Sequence, residues 1–183
     1  MTSDNDHGTD FTIRLATTQD RPKLEALMAR AINELQAPFL TPDQLAASAT
    51  MMGLDQQLID DGTYHIAVID GRIAGGGGWS RRATLYGGSA SPGRDARLLD
   101  PKTEPTRIRA MYTHPDFTRR GVGRAILAAC EAAARAAGFT RAELMGTLAG
   151  QPLYLSAGYT VLDQVIDTNG AAPVPMARMG KAL

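Results

Sequence analysis

At 183 residues the chain suits one domain around one core, and a 44% hydrophobic content argues against global disorder. Its 19 basic and 19 acidic side chains cancel, so a protein whose main task is gripping a nucleic-acid backbone is disfavoured. A single cysteine, Cys130, excludes a disulfide within the chain and points to a reducing cytoplasm. No apolar run approaches the ~20 residues of a membrane span, and Met1–Asp10 is polar and acidic, without signal-peptide character. His7, His65 and His114 are far apart and lack ligand spacing, so no metal is expected.

In chain order, the alternation of Phe11-Thr12-Ile13-Arg14-Leu15 predicts a strand with Phe11, Ile13 and Leu15 on one face. Leu24, Leu27, Met28, Ala31, Ile32 and Leu35 recur at helical spacing. Asp20 is the expected N-cap of that helix, because it leaves Pro22 in the first turn. Thr41-Pro42-Asp43 opens a second amphipathic segment through Leu45 towards Met52. Thr63–Ile69 reads as a strand, Asp70-Gly71 as a hairpin turn and Arg72–Ser80 as the return strand. The run Gly75–Gly78 inside it signals close backbone approach or a bulge. Residues 81–105 read as a long loop, a length that in a compact domain accompanies function or disorder.

Thr106–Thr113 reads as a strand stopped at His114-Pro115-Asp116. Val122–Ala137 is an alanine-rich helix stopped by Gly138. A strand over Arg141–Met145 follows, then a short helix over Pro152–Ala157 stopped by Gly158, then closing strands at Tyr159–Val165 and Val174–Met179. The order β-α-α-β-β-β-α-β-α-β-β implies a mixed α/β sheet. Within it, Thr106–Thr113 and Arg141–Met145 should be parallel and joined by a right-handed crossover. Residues 1–10 are expected to form a flexible polar N-terminus and residues 11–183 a single domain.

The chemistry concentrates at Phe117-Thr118-Arg119-Arg120-Gly121-Val122-Gly123-Arg124, between a strand and a helix. A helix N-terminus offers unpaired N–H groups and a positive dipole end. Gly121 and Gly123 remove side chains, so a phosphate can approach the backbone, and Arg119, Arg120 and Arg124 add charge. A P-loop is excluded, because no G-x-x-x-x-G-K-[ST] string exists. The dinucleotide fingerprint is excluded too, because Ile126 stands where its third glycine belongs. A bare G-x-G could equally be an ordinary basic helix start.

The surrounding run shifts that balance. Ile108-Arg109-Ala110-Met111-Tyr112-Thr113, the turn His114-Pro115-Asp116-Phe117, then Thr118-Arg119-Arg120-Gly121-Val122-Gly123 and Arg124-Ala125-Ile126-Leu127 closely resemble the acetyl-CoA segment of GNAT acyltransferases. That family writes Q/R-x-x-G-x-G/A here. Thr118 departs from it mildly, since backbone amides do the binding. Gly150-Gln151-Pro152-Leu153-Tyr154-Leu155-Ser156-Ala157-Gly158-Tyr159 resembles the family's late motif, with Tyr154 at its tyrosine. The resemblance spans Ile13 to about Met179. It implies a mostly antiparallel sheet whose central parallel pair splays to admit acetyl-CoA as co-substrate. The pyrophosphate would lie on the amides of Arg119, Arg120, Gly121, Val122, Gly123 and Arg124, and the pantetheine arm along Met111, Tyr112 and Thr113. Tyr154 would protonate the departing thiolate; a phenol, with a pKa near ~10, keeps its proton at neutral pH.

The implied reaction is direct attack of an amine on the thioester, the oxyanion steadied by backbone N–H near Met111–Thr113. A base is needed, and Glu143 and Glu104 are the candidates, each weighed against a plain solvated carboxylate. His114 reads as a turn residue and Cys130 as buried and inert. Trp79, Ser80 and Tyr86 are candidate acceptor-pocket residues, and Arg81 and Arg82 a solvated pair. Residues 81–105 exceed the family's usual turn and are expected to lie over the acceptor groove. That favours an N-acetyltransferase acting on a small-molecule amine. A protein or peptide acetylase and an idle acetyl-CoA sensor stay open, a homodimer is compatible with the family, and neutral charge disfavours a charged-tRNA acceptor.

Overall fold

The computed structural model describes residues 11–183; the expected polar segment Met1–Asp10, with His7, lies outside them. The elements run β1 (Thr12–Leu15), α1 (Arg21–Leu35), α2 (Pro42–Met51), α3 (Gln56–Asp60), β2 (Tyr64–Ile69), β3 (Arg72–Ser80), β4 (Thr106–Thr113), α4 (Val122–Ala136), β5 (Arg141–Thr147), α5 (Gln151–Ser156), β6 (Thr160–Asp167) and β7 (Val174–Ala182). The expected order holds with one addition. Helix α3 is too short for a helical period to show in the sequence, and it is started by the Asp55 carboxylate, which accepts from the Gln57 amide at 3.1 Å.

Asp20 precedes α1 as expected but does not cap it. Its backbone is already helical (φ −77°, ψ −16°), and its carboxylate turns back to accept from Arg14 and from the Thr17 amide, each at 2.8 Å. At α2, in contrast, the cap is a side chain: Thr41 Oγ1 accepts from the Gln44 amide at 3.3 Å.

The seven strands form one sheet in the order β1-β2-β3-β4-β5-β7-β6. Every neighbouring pair is antiparallel except β4 and β5, which are parallel. That parallel ladder holds only at Thr106↔Ala142 and Arg107↔Glu143. Beyond Arg107 the two strands part, and the sheet opens into a wedge at its centre.

The residues of β3 and β4 explain how β4 turns away. Register slips between Gly76 and Gly78, so Ala110 and Met111 together face Gly77, a bulge that puts Ala110 at φ 51°. The Tyr64 hydroxyl donates to the Ala110 carbonyl at 2.8 Å and holds the bulge. The glycine run is required on both faces of β3. A Cβ on Gly75 would sit 2.7 Å from Val122 Cγ1, and one on Gly76 2.7 Å from the Tyr64 ring. The strand is thin so that α4 can close on one side and Tyr64 on the other.

Helix α4 buries Val122, Ile126, Leu127, Cys130 and Ala134, a 3–4 stripe, against Trp79, Ile108, Phe139, Leu144 and Met179. Burying a side chain of this size stabilises by about 1.5–3 kcal/mol. On the opposite face Leu24, Leu27 and Met28 of α1 pack with Leu58, Tyr64 and Ile66. The apolar face expected of β1 is only partly covered, since β1 is an edge strand and Leu15 is 47% exposed.

Residues 81–105 are ordered by specific bonds. Ala83 and Thr84 amides donate to Arg97 and Asp95 carbonyls, each at 2.9 Å, giving an irregular hairpin. Its tip is tied down through Asp55, which is fully buried and accepts from Arg94 at 2.9 Å and Arg109 at 2.5 Å.

Candidate active site

A single continuous cavity of about 720 Å³ fills the wedge. It runs from the turn before α4, between β4 and β5, to a far end walled by α1 and by Leu85–Gly87 of the long hairpin. Met111, Tyr112, Thr113, Arg119, Gly121, Val122, Gly123, Arg124 and Tyr154 all line it. Residues that the sequence places in two separate motifs are thus brought to one surface. Arg120 is the exception: its guanidinium lies over the Phe117 ring, 5.5 Å from the centroid, and is not among the lining residues.

At the turn, Arg119 (φ 63°) and Gly121 (φ 77°) both adopt left-handed backbone. A Cβ on Gly121 would meet nothing within 4 Å, so glycine is needed there for its backbone angle. Gly123 is different: a Cβ there would lie 3.1 Å from Leu153 Cδ2 and 3.4 Å from Thr113 Oγ1, so it allows α4 to approach α5 and β4. Among the described residues, the amides of Arg119 to Arg124 donate to no protein acceptor; the first amide of the helix to find one is Ala125, bonded to the Gly121 carbonyl at 3.0 Å. A run of unpaired amides at a helix start is an anion cradle. Arg124 bonds Ser156 at 3.0 Å and joins α4 to α5.

Along β4, the His114 amide donates to Ala74 on β3 at 2.8 Å. Backbone alternation then turns the Thr113 and Met111 amides to the other side, towards the gap left by β5. Tyr154 is 7% exposed and lines the cavity. Burial pushes its phenol well above the ordinary value, so it stays protonated at any working pH. Burial pushes Tyr112 up to about 12, and its hydroxyl accepts from the Gly53 amide at 3.1 Å.

Both sequence candidates for a base lie elsewhere. Glu143 is paired with Arg107 at 3.0 Å, and Glu104 with Arg97 at 2.8 Å on the surface; neither lines the cavity. Trp79 is core, edge-on to Phe139 at 6.2 Å, and Ser80 is buried. Tyr86 does line the cavity. Arg82 is not a free surface charge but is bonded to Asp61 at 2.7 Å, whereas Arg81 lies over Trp79. His114 is the turn residue expected, its Nδ1 accepting from the Asp116 amide at 3.1 Å. Cys130 is fully buried, and its thiol is pushed up by desolvation.

Sequence reasoning missed Gln36, Asp55, Arg109 and Asp167. Gln36 and Arg109 line the far end of the cavity, and Asp55 and Asp167 stand behind it. None sits in a local pattern; each acquires its place only when distant segments meet. Among the described residues no group of three or more His, Cys, Asp or Glu could hold a metal ion, and no helix is long and apolar enough to cross a membrane.

The comparisons agree with this geometry. Residues 28–159, more than half of the chain, match the model of the acetyltransferase (GNAT) family. No curated protein matches the sequence. Among solved structures, a GCN5-related N-acetyltransferase from Rhodopseudomonas palustris superposes with a TM-score of 0.69 at 18% identity, covering 94% of this chain and 95% of its own. The yncA protein of Salmonella typhimurium, solved with its cofactor acetyl-CoA, gives 0.64 at 19% identity over 95% of this chain and 94% of its own. A ribosomal-protein-alanine N-acetyltransferase from Brucella melitensis gives 0.60 at 19% identity over 94% and 99%. At such identities the superpositions establish the fold, and the family match establishes membership: this chain belongs to the GNAT acetyltransferase family.

Proposed function

We propose that the protein is an acetyl-CoA-dependent N-acetyltransferase whose acceptor is the amine of a small molecule. The observation that carries this reading is the continuity of the cavity. One space joins the unpaired amides of Arg119–Arg124, the gap-side amides of β4, Tyr154 and a separate far end behind Leu85–Gly87. The anion cradle fits a pyrophosphate, and the β4 edge fits an amide-bearing arm that takes the place of a paired strand. When bound, acetyl-CoA supplies the activated acetyl group. The protein's own groups then have distinct tasks. The Met111 and Thr113 amides face the charge that develops on the carbonyl oxygen. Tyr154 donates to the leaving sulfur.

The hairpin over residues 81–105 supports a small acceptor, because Leu85, Tyr86 and Gly87 line the far end of the cavity. The protein-directed name of the Brucella relative keeps a peptide amine as the second reading. The test is calorimetric titration with acetyl-CoA, with NADH and ATP as controls. A panel follows, comprising n-propylamine, 2-phenylethylamine, glycine, phenylalanine, spermidine and an alanine-initiated peptide, read by thiol release. Selective micromolar binding and turnover of a small amine are expected. Binding without turnover of any amine would leave a sensor domain, and turnover of the peptide alone would move the acceptor to proteins.

A further inference from the structure

An alkyl amine is protonated at neutral pH and cannot attack until it loses a proton, yet among the described residues no carboxylate, histidine or lysine lines the cavity. The far end nonetheless holds a buried carboxylate one hydrogen bond away. Tyr86 lines the cavity, and its hydroxyl donates to Asp167 Oδ2 at 2.6 Å. Asp167 is 3% exposed and, among the described residues, is otherwise met only by the Asn169 amide at 3.0 Å and the Asn169 side chain at 2.9 Å. Among the described residues no Lys, Arg or His lies at ion-pair distance from it, although every other charge buried at this end has a partner: Asp55 has Arg94 and Arg109. A buried carboxylate without counter-charge is costly, and a cation placed next to its hydrogen-bonded neighbour offsets that cost.

The placement of Tyr86 is fixed from both arms of the wedge. The Arg109 guanidinium on β4 donates to the carbonyl of Gly87, the next residue, at 2.6 Å. On the other arm, Asp167 closes β6, and Tyr86 packs with Met145 of β5 and Met176 of β7. Tyr86 therefore bridges the mouth of the gap between β4 and β5, with its hydroxyl's proton directed at Asp167 and its lone pairs left to accept from the cavity.

We infer that Tyr86, backed by Asp167, is the group that receives the acceptor ammonium and takes its proton. This rests on the acetyltransferase reading above. The ammonium gives one N–H proton to the Tyr86 oxygen as the Tyr86 proton passes to the Asp167 carboxylate, so the phenol ends neutral and Asp167 protonated. The freed nitrogen lone pair forms the C–N bond, the C–S bond breaks, and its electron pair stays on sulfur, which takes a proton from Tyr154. The second proton lost by nitrogen restores Tyr154, and Asp167 returns its own to solvent. Tyr86 is pushed up to about 12 by burial and by Asp167, so it relays a proton and does not sit as a phenolate. Asp167 is a positioning residue, acting through Tyr86. Arg94 and Arg109 against Asp55 and Asp167 leave this end neutral, so a protonated amine is not repelled.

The experiment compares Tyr86→Phe and Asp167→Asn with wild type on two acceptors: the panel amine of highest turnover, and hydroxylamine, which is already the free base at neutral pH. Acetyl-CoA affinity is followed by calorimetry in each variant. Expected are unchanged acetyl-CoA affinity and a turnover loss of about a hundredfold on the protonated amine, with hydroxylamine kept within about threefold. An equal loss on both acceptors in both variants would reduce the pair to structural support and overturn the inference. So would full activity in either variant. If wild type binds acetyl-CoA but acetylates no panel amine, the enzyme reading falls first and this one with it; if wild type turns over and the variants do not discriminate, only this one falls.

Discussion

The two ends of the cavity are built on different principles. At the α4 end the cradle is backbone: consecutive amides of Arg119–Arg124 that find no protein acceptor, shaped by one left-handed glycine. At the far end the surface is side chain, gathered from α1, the 81–105 hairpin, β4 and the end of β6, and held by buried Asp55, Arg109 and Asp167 with half-buried Arg94 and Tyr86. A backbone site tolerates many side-chain changes so long as the turn forms. A side-chain site fails when one partner goes, because each partner is buried against another.

The sharpest way to break this contrast is Asp55→Ala. It leaves Arg94 and Arg109 without their shared carboxylate in a buried setting, which costs about 3–5 kcal/mol. For a domain of this size that lowers Tm by roughly 10 °C. A thermal melt within a degree or two of wild type would show that the far end is not held by charge pairing. Tyr154→Phe is next: turnover should fall about a hundredfold while calorimetric acetyl-CoA affinity stays put, since the phenol is asked to act only as sulfur leaves. Undiminished turnover would assign that proton to water.

At the backbone end, Gly123→Asp should weaken acetyl-CoA binding by about tenfold or more, equivalent to about 1.4 kcal/mol. The new carboxylate occupies the amides proposed to hold the pyrophosphate and crowds Leu153. Melting should change little, because a negative charge at a helix start, favourable by about 0.3–1 kcal/mol, offsets part of the cost of moving the Leu153 side chain aside. Loss of stability together with affinity would mean that the position is packing alone. The smallest effect separates two neighbouring arginines. Arg119→Ala should reduce acetyl-CoA affinity a few-fold, about 0.5–1 kcal/mol by analogy with exposed charge pairs. Arg120→Ala should leave it unchanged, since that side chain lies on Phe117 and away from the cavity. Equal effects would show that charge, not position, attracts the ligand.

The same contrast explains what could be read from the sequence. The cradle is contiguous, so Thr118–Arg124 carries its own signature, and the glycine run of β3 announced close packing before Tyr64 and α4 were seen to need it. The wedge was legible as a parallel pair but not in extent, because its short ladder depends on a bulge fixed by Tyr64. The base stayed unidentified in the sequence for a related reason. Glu143 and Glu104 are near the right strands in sequence, yet each finds an arginine first, whereas Asp167 lies 81 residues from Tyr86. Helix α3 was missed because a single capped turn has no period to detect.

The short ladder between β4 and β5 also bears on how the molecule comes apart. With pairing limited to Thr106–Arg107, the strands from β1 to β4 and those from β5 to β7 share almost no backbone pairing. On one face α4 welds them, its Ile126 and Leu127 sharing a core with Leu144 and Met179. On the other face they meet through thinner ties, such as Tyr86 to Asp167 and Gln44 to the Pro173 carbonyl at 2.9 Å. Local opening should therefore be lopsided, a gaping of the α1 face about the α4 weld. Amide hydrogens along the gap, which have no ladder bond to lose, are set to exchange well before those beneath α4.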